Sequence, residues 1–278
     1  MLPPMPLLRT VSAFLAPLLS GHLLLAVQKD KSGVPQSTDL AHVREELGVN
    51  QFTAPSIALL LDELAALHPV PPEKFWRDLP ESTPQDRPRL ALSAGQVIAD
   101  GLLAVEGKKR SRLESTGRLL LKFAKGLGVA DHLSRHSKTI IELAARERWT
   151  EMREELVRAQ AEVEAGMMSL KDEELAHLVS LGGWLRGLEM AAQSAAEGTP
   201  DRAKTLVQPE LYDYFINRLE TLRPPLKKSP LMVLIAGNLD QIRTLAAKNK
   251  ESGPGPAEIR QIRDLVRATN RAVAGSEP

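Results

Sequence analysis

From Lys171 to Ala196 the chain reads KDEELAHLVSLGGWLRGLEMAAQSAA, and at about 100° per residue almost every direction of this stretch is apolar or small. That pattern predicts a helix buried nearly all round, the packing centre of an all-helical protein. Ala176, Ser180, Gly183, Gly187, Ala191 and Ser194 share a stripe of small side chains, beside a broad stripe of Leu178, Leu181, Leu185, Leu188 and Ala192. Glycine inside a helix costs about 1 kcal/mol against alanine, so the small stripe is expected to admit a neighbouring backbone at close range. Arg186, Glu189 and Gln193, with Gly182, are left as a narrow solvent strip. Gly183→Leu is therefore expected to unfold the chain and Arg186→Ala to do little.

The stretch from Arg89 to Glu106 is again apolar almost all round and rich in alanine and glycine, which makes it the expected partner of the Gly183 stripe. Its one ionisable interior group, Asp100, belongs either at the rim of the buried face or in an internal pair. Helical periodicity, bounded by Pro and Gly, also predicts helices over 40–47, 56–67, 111–125, 130–148 and 150–168. A short helix opens at Pro200, and three more follow over 210–222, 231–247 and 257–273. No stretch alternates as a strand does. The fold class is all-α, a single multi-helix bundle or a short solenoid-like array of antiparallel helices. Pro69 to Pro88, with six prolines, is a long surface connection expected to be pinned by Phe75 and Trp76, and Lys108, Lys109, Arg110 and Arg112 read as a solvated turn.

Residues 1–28 carry one positive charge, Arg9, before a run without formal charge to Lys29, and so resemble a secretory signal or an uncleaved anchor over 10–28. A buried N-terminal helix in a cytoplasmic protein is the alternative. Residues 29–38 read as a linker, 39–248 as the helical domain, and 249–278 as a flexible linker with a detachable amphipathic helix. That tail sets Ile259, Ile262, Val266, Thr269 and Val273 on one side, with Arg260, Arg263, Arg267 and Arg271 as a cationic ridge suited to a protein partner or an anionic membrane surface.

Composition changes this picture little. The 278 residues are 43% hydrophobic with a net charge of +1, so the chain can bury a sizeable core and carries no field that would gather nucleic acid. Cysteine is absent, which removes disulfides, thiolate zinc sites and iron–sulfur clusters.

Two constellations carry candidate chemistry. Glu173, His177, Ser180 and Trp184 point the same way along the central helix and, with Asp100, would line a ligand pocket. The structural alternative has Glu173 at the positive helix N-terminus, His177 and Trp184 as packing, and Ser180 bonded to the preceding turn. Asp131, His132 and His136 have spacing that could share one metal ion, and Glu174 with His177 matches the Glu-x-x-His element of di-iron bundles, without a second copy. Hydrolase, phosphate-loop, zincin, dinucleotide and calcium-loop signatures are absent. No cofactor and no catalytic residue are expected. The runs LVSLGGWLRGLE and PELYDYFINRLETL resemble all-helical bacterial proteins of no assigned function, a resemblance that implies neither a ligand nor a catalytic residue. The expectation is an exported, non-catalytic helical binding or scaffold protein; the alternative is a bundle with a ligand or metal pocket on the inner face of 171–196.

Overall fold

The computed structural model describes residues 70–170, 172–198, 200–249 and 253–275. The expected signal or anchor, the 29–38 linker and the helices over 40–47 and 56–67 lie outside the described residues. Within them every regular element is helical: a 3-10 turn at Pro72–Phe75, then α1 (Arg87–Glu106), α2 (Arg110–Leu127), α3 (Ala130–Ala145), α4 (Trp149–Ser169) and α5 (Glu173–Glu197). A single turn α6 (Pro200–Ala203), a second 3-10 turn at Lys204–Leu206, α7 (Pro209–Thr221), another single turn α8 (Pro224–Lys227), α9 (Pro230–Ala246) and α10 (Pro256–Ala274) complete the order.

The boundaries have local causes. Pro88 sits in the first turn of α1, where its missing N–H costs nothing, and the Asp86 carboxylate accepts from the Arg89 amide at 3.0 Å. Ser229 caps α9 in the same way, ahead of Pro230. α2 ends where Gly128 adopts φ 85°, a left-handed conformation that lets its amide reach back to the last turn.

α5 is the hub. It packs against α1 most extensively, and α10 lies against both, so the centre is a bundle rather than an open row. On one flank α2 covers α1, and the α3–α4 hairpin covers α2 before α4 returns to α5; on the other, α9 covers α10 and α7 covers α9. The large core joins α1, α2, α5, α7, α9 and α10, while Leu102, Val105, Leu113, Ile140, Ala144 and Met152 form a second apolar cluster under the α3–α4 hairpin.

Two expectations about the hub are reversed. The strip assigned to solvent is the seam with α1: a Cβ on Gly182 would lie 2.0 Å from the Leu92 carbonyl oxygen, and one on Gly95 would lie 1.9 Å from that of Val179. Gly183 faces Gly95 with the ordinary spacing of 3.4 Å from its Cβ position, so it is not the tightest point. Most of the small stripe is the more open side. Ala176, Ser180, Gly187 and Ala191 are half-buried, and nothing approaches within 4 Å of a Cβ at Gly187. The physical reason is that Arg186 and Glu189 find charged partners on neighbouring helices, so their side of α5 buries.

The tail helix is docked on the bundle. α10 buries Ile259, Ile262, Val266, Thr269, Asn270 and Val273, and Gly253 and Pro254 before it are buried too, with Gly253 close to the Ala203 backbone. The pin on the proline-rich connection is as expected: Phe75 is buried, and Trp76 lies under the Arg112 guanidinium, 4.9 Å from its ring centroid. Arg112 also donates to the Arg77 carbonyl at 2.6 Å, so this basic residue is a packed one.

Candidate functional site

The most concentrated polar chemistry lies in the seam of α1, α5 and α10. Arg186 is only 3% exposed, and its Nε donates to Asp100 Oδ1 at 2.8 Å, its Nη1 to Glu189 Oε2 at 3.0 Å and its Nη2 to the Phe75 carbonyl. Arg77 holds the other oxygen of Asp100 at 2.9 Å and Gln96 Oε1 at 3.1 Å. The Gln96 amide donates to Asn270 Oδ1 at 3.0 Å, and Asn270 donates in turn to Glu189 at 2.8 Å and to the Leu185 carbonyl at 3.1 Å. Burial works against the Arg186 charge, and Asp100 and Glu189 more than offset it, leaving its pKa raised. Asp100 is thus paired inside, one of the two placements expected for it. The network closes on itself, in the manner of a buried polar cluster that fixes helix register.

The remaining pocket candidates lie elsewhere on α5. His177 Nδ1 stands 3.2 Å from the Tyr214 hydroxyl, which accepts from Arg218 Nε at 3.2 Å. Burial, aided by the Arg218 charge, brings the His177 pKa from 6.5 down to about 4. Trp184 stacks on Phe215 with centroids 4.7 Å apart, meets Tyr212 edge-on at 5.3 Å, and donates to Gln208 at 3.4 Å. Ser180 bonds back to the Ala176 carbonyl at 3.3 Å, and Glu173 is exposed in the first turn. Asp100 pairs in the α1 seam and His177 and Trp184 pack on α7, so the five residues do not form one lined pocket. A surface depression of about 410 Å³ lies at Asp78, Leu79, Ser111, Arg112 and Ser115, and none of the five lines it.

Asp131, His132 and His136 are not gathered around one point either. Asp131 is exposed, the His132 ring lies on Gly166 of α4, and His136 is buried with Nδ1 on Glu155 Oε1 at 2.7 Å. Among the described residues no three His, Cys, Asp or Glu are placed to hold a metal ion. Burial raises the Glu155 pKa, and hydrogen bonds from Arg158 and His136 outweigh it, so the carboxyl sits below its ordinary value.

The arginine ridge of α10 is partly spent. Arg267 reaches Gln193 Oε1 at 3.4 Å and Glu189 Oε1 at 3.6 Å, and Arg263 pairs with Asp264 at 2.9 Å; Arg260 and Arg271 are exposed. Among the described residues no helix is long and apolar enough to cross a membrane. Besides the isolated Ile141 and Leu170, sequence reasoning missed an adjacent exposed apolar pair on α9, where Val233 is 59% and Leu234 41% exposed. Its signal was the run PLMVLIAG, too apolar for the single buried stripe of Met232, Ile235, Leu239 and Ile242. Gln96 and Asn270 were missed as well, although each is a polar residue within an apolar helical stripe.

No protein-family model, curated protein or solved structure matches the chain.

Proposed function

We propose that this chain is a non-catalytic helical scaffold that binds another protein, with export through residues 1–28 as part of the same reading. The observation that carries it is the outer face of α9, where Val233, Leu234 and Gly237 are exposed without a charged side chain from Pro230 to Asn238. Adjacent exposed aliphatic side chains on a rigid helix favour a contact surface. The non-catalytic part is supported by the polar seam, whose groups bond to one another rather than converging on a cleft. A protein partner is favoured over an anionic membrane because Arg263 and Arg267 are engaged with Asp264 and with Glu189 and Gln193.

A photo-crosslinking residue placed at Val233 in the producing cell is expected to capture one discrete protein species. The same residue at Arg271 should not, and Leu234→Asp should remove the product while leaving the circular dichroism unchanged. Equal labelling from both positions would refute the α9 surface. N-terminal sequencing of the fractionated protein tests export, and an intact Met1 in a soluble fraction would refute it.

A further inference from the structure

The net charge of +1 is a balance of segregated charges. Between Gly107 and Gly128 the chain carries seven Lys and Arg residues against the single acid Glu114, so the rest of the chain is net acidic. α2 turns Leu113, Leu119, Phe123 and Leu127 into the core, which leaves most of these charges outside. Arg118, Lys122 and Lys125 follow at i, i+4 and i+7 and share one exposed face, and Lys108 stands exposed before the first turn. The other three are engaged: Arg112 with Trp76 and the Arg77 carbonyl, Arg110 with Glu114 at 2.8 Å, and Lys109 with Glu73 at 3.7 Å. Among the described residues no carboxylate comes within ion-pair distance of Lys108, Arg118, Lys122 or Lys125. At the end of the row Leu170, 48% exposed, lies 3.5 Å from the Cβ position of Gly128.

We propose that the outer face of α2 is a peripheral docking surface for a bilayer rich in anionic phospholipid, with Leu170 entering the boundary between headgroups and acyl chains. Charge complementarity supplies the attraction: four unneutralised cations along a helix of 18 residues, about 27 Å, meet a plane of phosphates. Asp78, beside Ser111 and Arg112, and Asp131, in the first turn of α3, bound the face at its two ends. The aliphatic tip decides between polyanions. Leu170 gains by leaving water for a bilayer interface and gains nothing against the phosphates of a nucleic acid, and among the described residues no aromatic side chain is exposed for a base to stack on. For a protein partner the row lacks the central pocket or anchor around which interfaces are built. α10, the other basic helix, has committed Arg263 and Arg267 to carboxylates, whereas α2 has not spent its row. This face is on the flank of the bundle away from α9, so it stands or falls independently of the protein contact proposed there.

Cosedimentation of the full chain with lipid vesicles tests the assignment. Binding is expected to phosphatidylcholine vesicles carrying about one third phosphatidylglycerol and not to phosphatidylcholine alone, and it should vanish at about 1 M salt, where the screening length is about 3 Å. With each cation near the surface counting for about fivefold, Arg118→Gln, Lys122→Gln and Lys125→Gln together should weaken binding about a hundredfold at low salt, with an unchanged circular dichroism spectrum. Lys227→Gln, Lys228→Gln and Lys248→Gln together remove the same charge elsewhere and should weaken it less than about fivefold. Leu170→Ser should weaken it severalfold. Equal binding to neutral vesicles, no binding to the anionic ones, an equal loss in the two triple variants, indifference to Leu170→Ser, or tighter binding to a DNA duplex than to vesicles at the same phosphate concentration would overturn the proposal.

Discussion

The two sides of α5 use the same small and polar residue types to opposite ends. On the seam with α1, Gly182 admits the Leu92 carbonyl and Arg186 is enclosed by Asp100, Glu189 and Phe75. On the other side Gly187 faces open space, and Ala176, Ser180 and Ala191 are half-buried. The difference teaches that a small residue or a charge on a helix has no fixed preference for core or solvent. What decides is whether the facing helix offers a backbone at van der Waals range or a countercharge.

The contrast fails outright if Gly182→Ala is tolerated. Its Cβ would meet backbone rather than a side chain that can turn aside, so the expected cost is more than about 4 kcal/mol, read as loss of cooperative unfolding in urea. Arg186→Ala comes next. It leaves Glu189 short of a partner and Asp100 with Arg77 alone, and breaking a buried ion pair from one side costs about 3–5 kcal/mol, measurable as a lowered urea midpoint. A loss below about 1 kcal/mol would place Arg186 among surface pairs instead.

A third, smaller effect tests the α7 side of the same helix. The folded chain holds His177 neutral down to about pH 4, whereas the unfolded chain takes up a proton near the usual 6.5. Folding therefore weakens as pH falls between those values, by about 3 kcal/mol in full. His177→Phe should flatten that part of the stability profile, and a profile parallel to the parent would show that His177 protonates in the folded state. Smallest of all, Gly187→Ala should stabilise by up to about 1 kcal/mol, seen as a melting temperature higher by about 2–4 °C.

Much of the local architecture was legible in the chain. Proline and glycine placed the helix ends within a few residues, and two all-round apolar stretches identified α1 and α5 as partners. Facing directions were not legible. Gly182 and Gly183 differ by one residue and about 100°, and only the position of α1 decides which meets a backbone. Arg186 looked exposed because its countercharge lies 86 residues away, and the tail looked detachable because the amphipathic stripe of α10 says that it docks, not how completely it is covered. Asn270, lying between Val266 and Val273, was the clue that this stripe enters a polar seam.

The position of α10 also sets a timetable. Gln96 waits for Asn270, 174 residues later, and Arg89 for the Ala272 carbonyl, 183 residues later. A ribosome adding about 5–20 residues per second reaches Asn270 roughly 4–16 seconds after Glu189, 81 residues earlier, so the centre lacks one wall for that time. During that interval Arg186, Asp100 and Glu189 lack the asparagine that completes their circuit. α10, made after the other described helices, is therefore the piece that closes this centre.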